Sequence, residues 1–161
     1  MNNQRSKLGN IPCEFEGIRF DSKWELAVYQ AIRKHFSKDE IRVHQKILVK
    51  PKTTHYKEKF WKCDFAVGDA DFTGKFLLIE AKGFPTADFK RQLQLLDSYN
   101  PNLLDKIRIV QGVSTKVDEC FTSITLSELH AELSELHIEL EKRKALLGNH
   151  FIDRKVIKLT N

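Results

Sequence analysis

The chain has 161 residues, 41% hydrophobic and 30% charged, with a formal net charge of +5 at pH 7. This composition is typical of one globular domain with a sizeable core. No apolar run approaches the roughly 18 residues that cross a bilayer, so no membrane span is expected. Three widely spaced cysteines indicate neither a zinc site nor a disulfide framework. Because residues 1–6 lack the apolar segment of a secretory signal, we expect a cytoplasmic, intracellular protein.

The predicted elements begin after a polar, basic arm at residues 1–12. Residues 13–20 fit a short strand or turn that bends at Gly17, and residues 22–35 have the apolar spacing of a helix. The pattern then predicts, in chain order, a strand at 41–49, a loop at 53–59, a strand at 60–67, a turn at 68–71, a strand at 76–82, a helix at 86–99 and a strand at 107–113. This order predicts the α/β class, with a mixed central β-sheet flanked by helices.

The C-terminal segment, residues 116–161, has a different pattern from the predicted core at residues 13–115. Leucines recur at spacings of three and four, at Leu126, Leu129, Leu133, Leu136 and Leu140. This seam predicts an amphipathic helix that ends near Gly148-Asn149. The helix either packs on the core or mediates oligomerisation, and His130 and His137 are expected to be surface or interface residues.

The most informative motif ends the strand predicted at residues 76–82. An apolar run leads into Glu80-Ala81-Lys82 and stops at Gly83. Strand alternation places Glu80 and Lys82 on one face, and continuous apolar residues indicate a central strand covered on both faces. Asp64, on the preceding strand, adds a second carboxylate. Such hard oxygen ligands suit Mg²⁺, which activates water for phosphodiester hydrolysis. The plain alternative is a solvated surface ion pair.

Glu25 is a third acidic candidate, at the start of the first predicted helix. It lies three residues after Ser22, which is the spacing of a capping box. It also lies beside the apolar stripe of that helix, so its side chain can point into a cleft. The spacing leaves a capping role and a site role both open.

A basic stretch precedes Asp64. Between residues 42 and 62 the only acid is Glu58. The bases are Arg42, Lys46, Lys50, Lys52, Lys57, Lys59 and Lys62. Such a concentration is typical of a surface that binds a phosphate backbone. The alternative is an edge ribbon that lysines keep soluble.

In this order, the helix with Glu25, then Asp64, then Glu80-Ala81-Lys82 resembles the PD-(D/E)XK nuclease superfamily. Within that superfamily, the chain more closely resembles small phage endonucleases that cut branched DNA, over roughly residues 15–113. The shared features include Asp64-Phe65, the Glu-x-Lys-Gly turn and a later Arg-Ile-Val strand at residues 108–110. Lys62-Cys63 precedes Asp64 where the superfamily name expects proline, as in many members.

The resemblance implies a restriction-endonuclease-like core and a Mg²⁺-dependent DNA endonuclease, in which Mn²⁺ substitutes. Asp64, Glu80 and the Ala81 carbonyl would hold the metal, Lys82 would orient or deprotonate the attacking water, and Glu25 would complete the site. The expected DNA contacts are Lys46, Lys50, Lys52, Lys57, Lys59, Lys62, Lys90 and Arg91. Two cuts in a duplex imply a homodimer. A homing or restriction-type endonuclease and a non-catalytic DNA-binding or assembly protein are the alternatives.

Overall fold

The computed structural model describes residues 11–69 and 74–147. Two short strands, β1 (Cys13–Phe15) and β2 (Ile18–Phe20), form a hairpin. The central sheet contains β3 (Arg42–Lys50), β4 (Lys59–Gly68), β5 (Phe76–Ala81) and β6 (Ile107–Val110). The helices are α1 (Lys23–Arg33), α2 (Ala87–Tyr99) and α3 (Leu126–Leu147). Most of the predicted arm, the second half of the turn at 68–71 and the helix end at 148–149 lie outside the described residues.

The central sheet has the strand order β3-β4-β5-β6. β3, β4 and β5 are antiparallel neighbours, whereas β6 runs parallel to β5. The residues of β5 from Phe76 to Glu80 are all buried, as expected for an interior strand covered on both faces. The predicted mixed sheet flanked by helices is therefore confirmed, as is the interior position of β5.

Helices cover both faces of the sheet. α1 and α3 pack on one face, where Val28 and Leu133 meet Phe65 and Ile79. α2 packs on the other face, where its buried residues Phe89, Leu93 and Leu96 meet Ala66 and Leu78. We call these the α1/α3 layer and the α2 layer. The C-terminal helix thus packs on the core within the chain. No helix in the described part of the chain is long and apolar enough to span a membrane.

Some element bounds differ from those predicted. β6 ends at Val110 rather than at residue 113, because Gln111 turns to the segment before α3 and donates its N–H to the Ile124 carbonyl. Two short 3-10 helices, Lys38–Glu40 and Pro101–Lys106, were not predicted.

His130 is not a simple surface residue, because its Nδ1 lies 2.9 Å from His35 Nε2 where α3 contacts α1.

Hydrogen bonds hold the start of α1 beside the carboxyl ends of β5 and β6. The indole of Trp24 donates a hydrogen bond of 3.1 Å to the Val110 carbonyl. The same carbonyl accepts from the backbone N–H of Lys82 at 3.0 Å. These bonds bring Glu25, which follows Trp24 directly, to the end of β5.

Candidate functional site

Asp64 and Glu80 face each other where β4 and β5 stop pairing. The ladder runs from Gly68 opposite Phe76 to Phe65 opposite Ile79, so the next position places Asp64 opposite Glu80. There, backbone N–H groups donate to carboxylate oxygens instead of to the carbonyl oxygens of the neighbouring strand. The Asp64 N–H donates to Glu80 Oε2 at 3.3 Å, and the Ala81 N–H donates to Asp64 Oδ2 at 2.8 Å. The structure thus brings the two predicted carboxylates together.

Lys82 lies beside this pair. Its Nζ is 2.5 Å from Glu80 Oε1, so the two side chains share a face as the alternation predicted. Glu80 is only 2% exposed, which is not the environment of a solvated surface ion pair. The ammonium also lies 5.0 Å from the centre of the Phe89 ring, at the start of α2. A buried carboxylate, an ammonium and an aromatic face therefore form one wall of the site.

Glu25 has a capping role and also makes a contact inside the protein. Its Oε2 accepts the Asp21 N–H at 2.7 Å, and its own N–H donates to Ser22 Oγ at 3.1 Å, which caps α1. Its Oε1 lies 2.9 Å from His44 Nε2. With only 4% of its surface exposed, Glu25 points into the protein. The capping oxygen and the inward oxygen are different atoms, so the two roles do not compete.

The carboxylates are electrostatically coupled. Burial, and then the charges of Glu80 and Glu25, raise the pKa of Asp64 to about 8. Burial also raises the pKa of Glu80, although Lys82 opposes this change. Burial lowers the pKa of Lys82, but the Glu80 and Asp64 carboxylates more than compensate, so its pKa is raised and it stays protonated. When all three carboxylates are ionised they outnumber the single ammonium, so a bound cation would stabilise their ionised forms and displace the proton that Asp64 otherwise keeps.

The oxygen donors fit Mg²⁺ in its usual protein environment. Mg²⁺ binds through one or two carboxylates and completes its octahedron with waters and substrate phosphate oxygens. Asp64, Glu80 and the Ala81 carbonyl supply a donor set of this kind. Within residues 11–69 and 74–147, no group of three or more His, Cys, Asp or Glu side chains is arranged to hold an ion. The oxygens now bound to the Ala81 N–H and to Lys82 would have to exchange partners.

His44 is a site residue that the sequence analysis did not single out. It lies within β3 and contacts Glu25. The available signal was weak. Of the residues at alternate positions along β3, Val43, Ile47 and Val49 are apolar but Gln45 is polar, which indicates an irregularity beside His44.

The predicted basic stretch forms the hairpin of β3 and β4, and its loop, residues 51–58, is exposed throughout. Two pairs of lysines lie directly opposite each other, Lys46 with Lys62 and Lys50 with Lys59. Like charges in such cross-strand positions destabilise a sheet. Among the ion pairs of the described residues, none includes these four lysines, Lys52 or Lys57. We call the surface formed by the four paired lysines the basic face.

Lys46 and Lys62 lie two positions along their strands from His44 and Asp64, so the basic face begins close to the carboxylates along β3 and β4. Between the lysine pairs, exposed Leu48 lies opposite exposed Phe60.

The two predicted contacts on α2 are less clear. Lys90 is half-buried, and Arg91 is exposed and bonded to Asp88 at 3.0 Å.

A cleft of about 900 Å³ between β3 and the Pro101–Lys106 helix contains none of the four predicted catalytic residues.

Comparisons with known proteins add no assignment: no protein-family model matches the chain, and no curated protein or solved structure is significantly similar to it.

Proposed function

We propose that this protein is a Mg²⁺-dependent DNA endonuclease with a restriction-endonuclease-like core. The proposal depends on the positions of Asp64, Glu80 and Lys82, which lie together where β4 and β5 stop pairing. Burying two carboxylates at this place is unfavourable unless a cation compensates for them. A divalent cation would favour the ionised forms of these carboxylates. The lysines of the basic face, which form no ion pair with another described residue, suit a polyanion.

Each residue has a role in hydrolysis of a phosphodiester bond. Asp64, Glu80 and the Ala81 carbonyl would hold Mg²⁺, which when bound polarises a phosphoryl oxygen and acidifies a water molecule. Lys82 orients the attacking water, and its ammonium offsets the negative charge that develops on the phosphate. Because Glu80 raises the pKa of Lys82, the side chain acts here as a cation rather than as a base. Glu25 adds a third carboxylate from α1.

The basic face is the proposed DNA interface. Duplex phosphates would separate the charges of Lys46 and Lys62, and of Lys50 and Lys59, and remove the cost of these like-charge pairs. The finer proposal is structure-selective cleavage of branched DNA. Phe60 is 48% exposed between the two lysine pairs, and an aromatic side chain in a positive surface can stack on an unpaired base. Cleavage of both strands of a branch would use two sites, hence a homodimer.

The test is nicking of supercoiled plasmid, followed with Mg²⁺ and with EDTA. Wild-type protein should convert the plasmid to open circles only with Mg²⁺. Asp64→Asn removes one carboxylate charge and should abolish the conversion, while gel-shift binding of DNA persists. Asp97→Asn is the matched control, because Asp97 is an exposed aspartate on α2, and it should cleave like wild type. Nicking by Asp64→Asn at the wild-type rate would contradict the assignment.

A second assay separates the finer alternatives. A four-way junction and a linear duplex of the same sequence are compared as substrates. Faster cleavage of the junction supports structure-selective cleavage, whereas cleavage of the duplex at one sequence supports a homing or restriction-type enzyme. DNA binding without cleavage of any substrate supports the non-catalytic alternative, in which Glu80 and Lys82 are a structural pair.

A further inference from the structure

His44 has a backbone conformation that is unusual within a strand. Its φ is 55°, in the left-handed region that any residue with a Cβ adopts at a cost in free energy. Of the non-glycine residues that the structure describes, only Glu16 shares this property, with φ of 53°. Glu16 lies in the tight turn between β1 and β2, where left-handed residues are common. His44 lies within β3, with paired residues on both sides of it, so its conformation needs another explanation.

The position of His44 in the sheet supplies one part of the explanation. Val43 pairs with Phe65 and Gln45 with Cys63, so His44 lies opposite Asp64. By the β4–β5 register, Asp64 in turn lies opposite Glu80. His44, Asp64 and Glu80 therefore occupy one row across three neighbouring strands.

Both strands change face at this row. Val43 and Phe65 pack in the α1/α3 layer, whereas Cys63 and Ile47 pack in the α2 layer. Residues two apart, such as Cys63 and Phe65, share a face in a regular strand. The break in alternation therefore coincides with Asp64 and with the left-handed residue beside it. The register is the same on both sides of the row, so neither strand has an inserted residue there.

The imidazole of His44 uses its position to hold Glu25. Nε2 lies 2.9 Å from Glu25 Oε1, while the other carboxylate oxygen accepts the Asp21 N–H. The carboxylate is thus fixed from two sides, once by the helix cap and once by β3. A backbone in the ordinary strand conformation would send the His44 side chain in another direction and leave Oε1 of Glu25 without this contact.

We propose that His44 is a positioning residue, which holds Glu25 against the Asp64–Glu80 pair so that a third carboxylate serves a divalent cation bound there. This inference rests on the proposed function, because it concerns the same site. Partners that orient a ligating or supporting carboxylate typically change metal affinity by about 10-fold to 100-fold when removed. The strained conformation is retained because it serves the site rather than the fold.

The test measures Mn²⁺ affinity by isothermal titration calorimetry, together with the melting temperature of the protein in EDTA. His44→Gly removes the imidazole, and glycine accepts a φ of 55° without strain. Relief of the backbone strain and loss of the Glu25 contact have opposite effects on stability, so its melting temperature should stay near that of the wild type, while it should bind Mn²⁺ about 10-fold to 100-fold more weakly. His44→Asn, which also tolerates the left-handed region but is too short to replace Nε2, should show the same loss.

A double mutant shows whether His44 acts through Glu25. Glu25→Gln retains an oxygen for the Asp21 N–H but loses the charge. The double variant with His44→Gly should bind Mn²⁺ no more weakly than Glu25→Gln alone, because both changes remove the same contribution. Glu16→Gly is the control for the left-handed backbone. Glu16 contacts Arg33 and Tyr29 rather than the carboxylate site, so this change should leave Mn²⁺ affinity unchanged even though it removes those contacts.

Three results would overturn the inference: Mn²⁺ binding by both His44 variants at wild-type strength, losses that add fully in the double variant, or no binding of Mn²⁺ by the wild type. Failure of the proposed function is a separate result. If the wild type binds Mn²⁺ and the His44 variants lose affinity, but no DNA is cleaved, then the positioning role stands and the nuclease does not.

Discussion

Replacing Asp64 by asparagine should stabilise the protein, and the gain should depend on pH. Burial and the neighbouring Glu80 and Glu25 raise the pKa of Asp64 from 3.8 to about 8. Folding therefore favours the protonated carboxyl group. This contribution to stability is complete below the unfolded pKa and is lost as the pH rises through the folded pKa. Asparagine carries no charge, so the variant avoids that loss while its side-chain oxygen still accepts the Ala81 N–H.

The size of the effect follows from the pKa difference. A change of one in pKa corresponds to about 1.4 kcal/mol, so the full difference would be worth about 6 kcal/mol in the free energy of unfolding. Relaxation and water entry around a buried charge reduce such penalties strongly. We therefore expect about 2 to 3 kcal/mol, which for a chain of this size is a rise of about 4 to 12 °C in melting temperature.

Thermal melts of wild type, Asp64→Asn and the Asp97→Asn control, taken from about pH 4 to about pH 8.5, measure this difference. The Asp64→Asn gain should be near zero at the acid end and largest at the alkaline end. Mg²⁺ should raise the melting temperature of wild type at the alkaline end and have little effect on Asp64→Asn. A variant less stable than wild type at high pH, or a gain that is constant with pH, would refute this account of the site's electrostatics.

Three further predictions concern Lys82, the basic face and His35. Lys82→Ala should lower the nicking rate about 100-fold to 1,000-fold with the fold intact, since it removes one donor to the transition state. A lower melting temperature with an unchanged nicking rate would instead show that Lys82 has only a structural role. Replacing Lys46 and Lys62 by glutamine should raise the melting temperature slightly, because it removes a like-charge pair. In duplex binding, the slope of log affinity against log salt concentration should become shallower by about 1 to 2. An unchanged slope would exclude contact of these lysines with phosphates. Burial, and then His130, lower the pKa of His35, so its contribution to stability is present above the unfolded pKa and is lost as the pH falls below about 6.5. His35→Gln should therefore lose less stability at acid pH in thermal melts. Equal losses in variant and wild type would show that this contact does not sense pH.

Much of the fold could be predicted from the sequence because its apolar patterns are regular. The buried run in β5 identified an interior strand, and the leucine seam identified α3. The Glu80–Lys82 pair followed from strand alternation alone. The proximity of Asp64 to Glu80 was predicted only from chain order and resemblance, since the β4–β5 register depends on long-range pairing that a local pattern does not contain.

The role of His44 could not be predicted in the same way. Sequence alternation assumes a regular strand, and the left-handed residue that redirects β3 breaks this assumption at one position. Likewise, the capping-box spacing of Glu25 could not show that its two oxygens have different partners. The cross-strand pairing of Lys46 with Lys62 also depends on the register of the hairpin, which its long exposed loop leaves undetermined in the sequence.

The most direct test of the central claim is the initial rate of plasmid nicking, measured against Mg²⁺ concentration, for wild type and Glu80→Gln. Glu80 is the buried carboxylate that contacts both Lys82 and the Asp64 backbone, and glutamine has nearly the same shape. We expect nicking by wild type to rise with Mg²⁺ to a plateau, and Glu80→Gln to remain at the rate of the EDTA blank while keeping its affinity for DNA. A Glu80→Gln protein that nicks at the wild-type rate, or a wild type that nicks equally in EDTA, would contradict this expectation.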